Sequence, residues 1–193
     1  MRRVFWDVLV NCNEYRMFRT QLPVDVSLGL DERLKTYPFP DKWELLSLEL
    51  WEGEKGKKRE EKRKPVADFM ATGLLMDAIS PRARILLEPL ITTQVEFLPV
   101  ETPVGPYYGL HVKYVDCLDV DHAEVVRFKS SGRIMEVIKY AFYWERLEDI
   151  HIFRLPELGL SRLFVSDEFK RVVEENGLTG LLFYPVPLAD ETG

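Results

Sequence analysis

Residues 163–186 read LFVSDEFKRVVEENGLTGLLFYPV, and this stretch contains the clearest start and stop of a helix in the chain. Ser166 is a favoured N-cap residue, and Asp167 after it lies at the positive end of the helix dipole. Gly177 supplies the left-handed backbone conformation with which helices commonly end. The apolar segment 180–186 then predicts a strand, so the stretch indicates a helix that leads back into a sheet.

Several segments upstream are rich in β-branched and aromatic residues and predict further strands. They are GLLMDAI (73–79), QVEFLPV, YYGLHVKYVDCL, AEVVRF, IKYAFYW and IHIFRL. A second helix is predicted after the N-cap Ser80, with Pro81 at its first position and an end near Glu88, because Pro89 follows. Many strands with a few short helices, and no regular β-α-β alternation, indicate an α+β fold with a mixed or largely antiparallel sheet.

The first third of the chain shows two strand candidates, 4–10 and 43–51, separated by a proline-containing stretch. Residues 51–65, WEGEKGKKREEKRKP, are almost devoid of apolar side chains and predict a solvated loop or a frayed helix. We therefore divide the chain into an N-terminal β-rich part of the same fold, a charged loop, a core region and a tail. The corresponding residues are 1–50, 51–65, 66–186 and 187–193.

Composition limits the classes of function. The chain has 193 residues with 46% hydrophobic and 30% charged side chains, as in ordinary folded domains. Its formal net charge of −6 disfavours nucleic acid and anionic membranes as partners and leaves a basic protein partner possible. With only two cysteines, no signal-peptide pattern and no apolar run of the ~18 residues that cross a bilayer, we expect a cytoplasmic protein.

The stretch VDCLDVDHAE, residues 115–124, concentrates residue types that bind metals. A calcium loop would need a glycine and a bidentate glutamate at its twelfth position, and a zinc site would need two more ligands beside Cys117 and His122. Neither pattern is present, so we expect no metal and no cofactor. The stretch instead predicts a polar turn of Asp119, Asp121 and His122, placed between core residues and the next strand.

No catalytic motif is recognisable, and we expect that the protein is not an enzyme. One alternative is a small hydrolase that uses Cys117 or the acidic turn with His122. Another is a ligand- or peptide-binding module with an aromatic groove near Tyr140, Phe142, Tyr143 and Trp144, although such aromatics are more often core residues. A buried cysteine that packs as a small hydrophobe is the more common case.

Five stretches together resemble a known family. They are ISPRARILLEPL, VEFLPVE, YVDCLDVDHAE, IHIFRLPEL and LFVSDEFKRVVEENGLTGLLFYPV. Their order and spacing resemble a family of bacterial immunity proteins of polymorphic toxin systems, first catalogued as a domain of unknown function. The resemblance covers about residues 66–186 and includes Asp116, Leu118 and Asp119. It implies a cytoplasmic protein that binds and neutralises a toxin encoded next to it, without catalytic residues.

Such a role requires a surface that complements the toxin, and acidic side chains are the candidates that the sequence offers. We expect partner contacts at Asp119, Asp121 and Glu124, and at Glu174 and Glu175 near the end of the last helix. Glu174 and Glu175 lie where the helix dipole disfavours negative charge, so their interaction with the dipole does not stabilise the helix and they are candidates for contact with a partner. Charges of this kind steer association with a basic partner.

Overall fold

The computed structural model describes residues 4–54, 56, 58–74, 76–159 and 162–189, which form an α+β fold as predicted. The helices are α1 (Val24–Leu34), α2 (Lys58–Glu61), α3 (Pro81–Ile91) and α4 (Asp167–Glu175). The first six strands are β1 (Phe5–Val10), β2 (Phe18–Thr20), β3 (Leu46–Leu50), β4 (Phe69–Met70), β5 (Ala78–Ile79) and β6 (Val95–Thr102). The other six are β7 (Gly105–Val112), β8 (Glu124–Arg127), β9 (Ile134–Lys139), β10 (Ile152–Phe153), β11 (Leu163–Ser166) and β12 (Leu181–Pro185).

The described strands form two sheets and a separate hairpin. The larger sheet has the order β2-β3-β6-β7-β5-β4 and is mixed, since β3 and β6 pair in parallel. The smaller sheet, β10-β11-β1-β12, is antiparallel and has the N-terminal strand β1 between two C-terminal strands. A parallel bridge between Tyr114 and Arg154 joins the two sheets, and β8 pairs with β9 as an antiparallel hairpin.

Three apolar clusters hold these layers together. The first packs α3 and α4 against both sheets, with Leu87, Phe169 and Val165 among its buried residues. The second packs α1 on the larger sheet, and the third packs the β8–β9 hairpin on the smaller one. Because successive residues of a strand point to opposite faces, Leu163 and Val165 enter the first cluster while Phe164 enters the third. The helix α1 and the hairpin therefore lie on the face opposite to α3 and α4.

The C-terminal helix begins and ends where the sequence predicts. The Ser166 hydroxyl accepts a hydrogen bond from the Phe169 amide at 3.1 Å, and Gly177 has a φ of 58°. Gly180 follows with a φ of 103°, and a Cβ at this position would lie 2.3 Å from the Phe69 carbonyl oxygen. The close approach of β12 to β4 thus needs a glycine, for both the left-handed backbone and the space.

Other local features differ from the predictions or were not predicted. The proline-containing stretch of the first third, for which no helix or strand was predicted, contains α1, which buries Leu30 and Leu34 against the larger sheet. Helix α3 continues through Pro89 to Ile91, because a proline near the C-terminal end removes one hydrogen bond and the amide of Thr92 still bonds to Glu88. Of the predicted strand 73–79, the structure forms the short strand β5 at Ala78–Ile79. No described helix is long and apolar enough to cross a membrane.

Candidate functional site

The acidic stretch folds as the polar turn that its sequence predicts. Leu118 is buried and forms an isolated bridge with Phe142, which ends the preceding extended segment. The Asp119 carbonyl then accepts a hydrogen bond from the Ala123 amide at 2.9 Å, and Glu124 begins β8. We call residues 116–124 the acidic turn. Its apolar residues enter the third cluster, so its chemistry depends on its charged side chains.

These charges are largely compensated within the chain. His122 Nδ1 lies 2.7 Å from Asp119 Oδ2, Arg146 Nη1 lies 3.1 Å from Asp116 Oδ2, and Lys139 Nζ lies 3.4 Å from Glu124 Oε2. Burial acts to raise the pKa of Asp119, but hydrogen bonds from the His122 side chain and from neighbouring amides hold it below the usual value. The acidic turn is thus largely a network of internal pairs.

Cys117 is placed as a core residue. Its side chain is 0% exposed, and burial, followed by the charges of Glu157 and Asp116, raises the pKa of its thiol to about 12. Because the thiolate is the nucleophilic form, a thiol with this pKa is inert at neutral pH. Tyr140 and Phe142 are likewise buried among other rings of the third cluster. Within the described residues, no group of three or more histidine, cysteine or carboxylate side chains could hold a metal.

The two predicted acidic patches lie on opposite faces. Glu174 and Glu175 end α4, which belongs to the first cluster, whereas the acidic turn packs with the third cluster on the other side. Glu174 is 2.9 Å from Lys170 Nζ, and Glu175 is exposed. The structure therefore brings Asp119, Asp121 and Glu124 together and leaves the two glutamates of α4 as a separate patch.

A cleft of about 660 Å³ opens where the two sheets meet, between the end of α1 and the β8–β9 hairpin. Four chain segments line it: Lys35 and Tyr37, Lys113 and Tyr114, Arg133 to Met135, and Pro156 to Gly159. Its size is within the range of ordinary ligand pockets. We call it the junction cleft. The sequence analysis missed it, because its walls come from segments that are far apart in the chain.

The junction cleft is cationic and contains unsatisfied polar atoms. Lys113 and Arg133 have no ion-pair partner among the residues that the structure describes. The Tyr114 hydroxyl and Glu157 Oε2 are buried without a hydrogen-bond partner in the same residues. Burial raises the pKa of the Tyr114 hydroxyl, against the effect of Arg154, and burial also raises the pKa of Glu157. Buried polar groups are usually satisfied, so these two atoms are exceptions within the walls of the cleft.

The β8–β9 hairpin adds an exposed apolar surface beside the cleft. Phe128 and Met135 are each 48% exposed, and Val126 and Ile138 on the same hairpin are exposed as well. The inward residues Val125, Ile134 and Val137 pack on the third cluster and hold the hairpin in place. Sequence patterning could not separate these two faces, because both are apolar and two register shifts interrupt the alternation.

Comparison with known families gives one match. The model of the Imm11 immunity protein family matches residues 55–187, which is more than half of the chain. This region includes the acidic turn, the hairpin and three of the four walls of the junction cleft; the wall of Lys35 and Tyr37 lies outside it. No curated protein matches the chain. The chain belongs to the Imm11 immunity protein family, as the resemblance of its five stretches predicted.

Proposed function

We propose that this member of the Imm11 immunity protein family binds a cognate bacterial toxin domain and neutralises it, which protects the producing cell and its kin. The observation that carries the proposal is the family match over residues 55–187. The match spans more than half of the chain and includes the surface on which the acidic turn and the hairpin lie. We place the protein in the cytoplasm, where a toxin from a neighbouring cell would act.

Neutralisation by binding requires a preformed surface and no chemistry on the partner. The buried thiol of Cys117, with a pKa of about 12, and the internal Asp119–His122 pair support a non-enzymatic role, since neither is arranged as an activated nucleophile. The hydrolase alternative through Cys117 or His122 therefore has no support from the site geometry. The net charge of −6 supports a protein partner and disfavours nucleic acid.

The five acidic residues are proposed contacts. Asp121 and Glu175 are exposed and can steer the encounter with a basic region of the toxin, while Asp119, Glu124 and Glu174 are paired with His122, Lys139 and Lys170, respectively. Exposed ion pairs contribute little binding energy, although long-range attraction can raise the association rate by ~10–10³. We therefore propose that these residues raise the rate of association with the toxin and contribute little to the affinity.

The decisive experiment combines this protein with the product of the gene beside it. The two proteins are co-purified and titrated by calorimetry, and the toxicity of the neighbour's product is measured in cells with and without this chain. We expect a one-to-one complex of nanomolar affinity and survival of the protected cells. A neighbouring toxin that neither binds this chain nor loses its toxicity in its presence contradicts the proposal.

A further inference from the structure

We propose that the junction cleft and the outer face of the β8–β9 hairpin form the main contact with the toxin, and that they receive an acidic segment of it. This inference rests on the proposed function and names the surface and the chemistry of the contact. The contact proposed here pairs cations of this chain with an acidic segment of the toxin. The acidic residues predicted from the sequence would instead pair with a basic segment of the toxin.

The first argument is the distribution of charge. The chain as a whole has a net charge of −6, yet the hairpin segment 124–139 has four basic residues and two acidic ones. Lys35 and Lys113 add two cations at the cleft, where Glu157 is the single carboxylate among the described lining residues. A cationic site in an otherwise acidic protein favours an anionic group at that place, since complementary potentials select partner and register.

The second argument is the availability of those cations. Arg133 at the hairpin end and Lys113 in the lining of the cleft have no ion-pair partner in the described part of the chain. Lys35, by contrast, is paired with Glu32 one turn earlier in α1. An arriving carboxylate can therefore pair with Lys113 and Arg133 without displacing an existing partner. A carboxylate held by an arginine also forms directional hydrogen bonds, which add specificity.

The third argument is the pair of buried polar atoms. The Tyr114 hydroxyl can donate a hydrogen bond to a carboxylate, and Glu157 Oε2 can accept one from a backbone amide. Both atoms are buried and lack partners among the described residues. Because both atoms are closed off from solvent, they reach an occupant only when their side chains turn on binding, as interface side chains commonly do. An extended acidic segment then offers acceptors to the Tyr114 hydroxyl and backbone N–H donors to Glu157.

The fourth argument is the apolar surface beside the cleft. Protein interfaces obtain most of their binding energy from a few central aromatic, methionine and arginine side chains that are fully desolvated on binding. Phe128, Arg133 and Met135 are side chains of these types, and all three are exposed. The acidic turn has no exposed large apolar side chain within its described residues 116–124. The hairpin and the cleft can therefore anchor a partner, whereas the acidic turn cannot.

Another apolar patch is formed by Val24, Leu28 and Leu45, which are exposed on and beside α1. It lies outside the matched family region 55–187. Its neighbouring charges, Arg33 and Asp41, pair with each other at 3.4 Å. Neither charge complementarity nor family membership therefore connects it with the toxin, and we do not include it in the contact surface.

The test measures toxin binding by charge and apolar variants of the full chain. The cleft variant is the double substitution Lys113→Glu and Arg133→Glu. Its matched control is Lys42→Glu and Arg171→Glu, which changes the net charge equally at exposed positions away from the cleft and the hairpin. A third variant, Phe128→Ser with Met135→Ser, removes the apolar anchors and keeps every charge. Melting temperatures and circular dichroism establish that each variant is folded.

We expect the cleft variant and the apolar variant each to weaken toxin binding by about 100-fold, as for central interface residues, and to lose protection in cells. The control should bind within about threefold of the wild type, because exposed rim charges contribute little. Wild-type affinity should fall with added salt, and that dependence should decrease in the cleft variant.

A folded cleft variant that binds as tightly as the wild type overturns this inference and leaves the immunity function intact. If inorganic phosphate then raises the melting temperature of the wild type but not of that variant, the cleft holds a small anion instead of a toxin segment. Failure of the wild type itself to bind and protect is a different result, which contradicts the proposed function.

Discussion

The acidic turn and the β8–β9 hairpin are adjacent in the chain and lie on the same face of the smaller sheet, yet the pairing and exposure of their side chains differ. The turn directs its apolar residues inward and pairs its carboxylates with His122, Arg146 and Lys139. The hairpin leaves Phe128 and Met135 exposed, and Arg133 beside them has no ion pair in the described residues.

This difference shows how to separate structural from interacting charges. A charge that is paired within the chain stabilises a local conformation and contributes little to the binding of a second protein. A cation without a partner, beside exposed apolar side chains, offers both attraction and buried area to a partner. Residue type alone indicates the acidic turn as the contact surface. The pairing of each charged residue in the structure favours the hairpin and the cleft instead.

The largest expected change in stability concerns the third cluster, on which both the acidic turn and the hairpin pack. Phe164 is fully buried, stacks on Phe153 with ring centroids 5.2 Å apart, and belongs to the cluster that holds Leu118 and Val137. Replacing Phe164 with alanine should lower the free energy of unfolding by about 3–5 kcal/mol, measured by urea denaturation. The control Phe128→Ala removes the same ring from an exposed position and should change it by less than about 0.5 kcal/mol. Similar losses in the two variants would show that the hairpin ring is part of the core.

A smaller effect is expected at Cys117, which distinguishes a structural turn from a catalytic one. Its thiol should resist alkylation by iodoacetamide at neutral pH and react only in urea, because it is buried with a pKa of about 12. The half-buried Cys12 is the internal comparison and should react first, as followed by mass spectrometry. Replacing Cys117 with serine should cost about 1–3 kcal/mol of stability through the buried hydroxyl and leave toxin neutralisation unchanged. A folded Cys117→Ser protein that no longer neutralises the toxin would restore the hydrolase hypothesis.

The smallest effect is a pH dependence of the acidic turn. The pKa of Asp119 lies below its usual value of 3.8, so its ionised form stabilises the folded state. This contribution is present above the unfolded-state pKa and is lost as pH falls through the lower folded-state pKa. The Asp119→Asn variant should therefore melt below the wild type at neutral pH, and the two melting temperatures should converge in acid. Asp121→Asn, which removes an exposed carboxylate of the same turn, serves as control and should melt close to the wild type at neutral pH. A constant gap between Asp119→Asn and the wild type down to strong acid would exclude the ionic contribution.

Local features were predictable because a few neighbouring residues determine them. The cap Ser166, the stop Gly177 and the polar turn after Leu118 each depend on contacts within about one helical turn or one loop. Helix α1 was missed because only Leu30 and Leu34 of its residues are buried, which leaves a weak apolar periodicity. The α+β class followed from the order of the elements.

By itself, the sequence determined the class of fold, the limits of α4, the burial of the acidic turn's apolar residues and the family to which the chain belongs. Only the tertiary structure decided which charges are paired and which surface remains open. Lys35, Lys113, Arg133 and Glu157 meet in one cleft, which is also lined by Tyr114 of the bridge that joins the two sheets. Such a meeting depends on long-range packing, and no local periodicity of the chain encodes it.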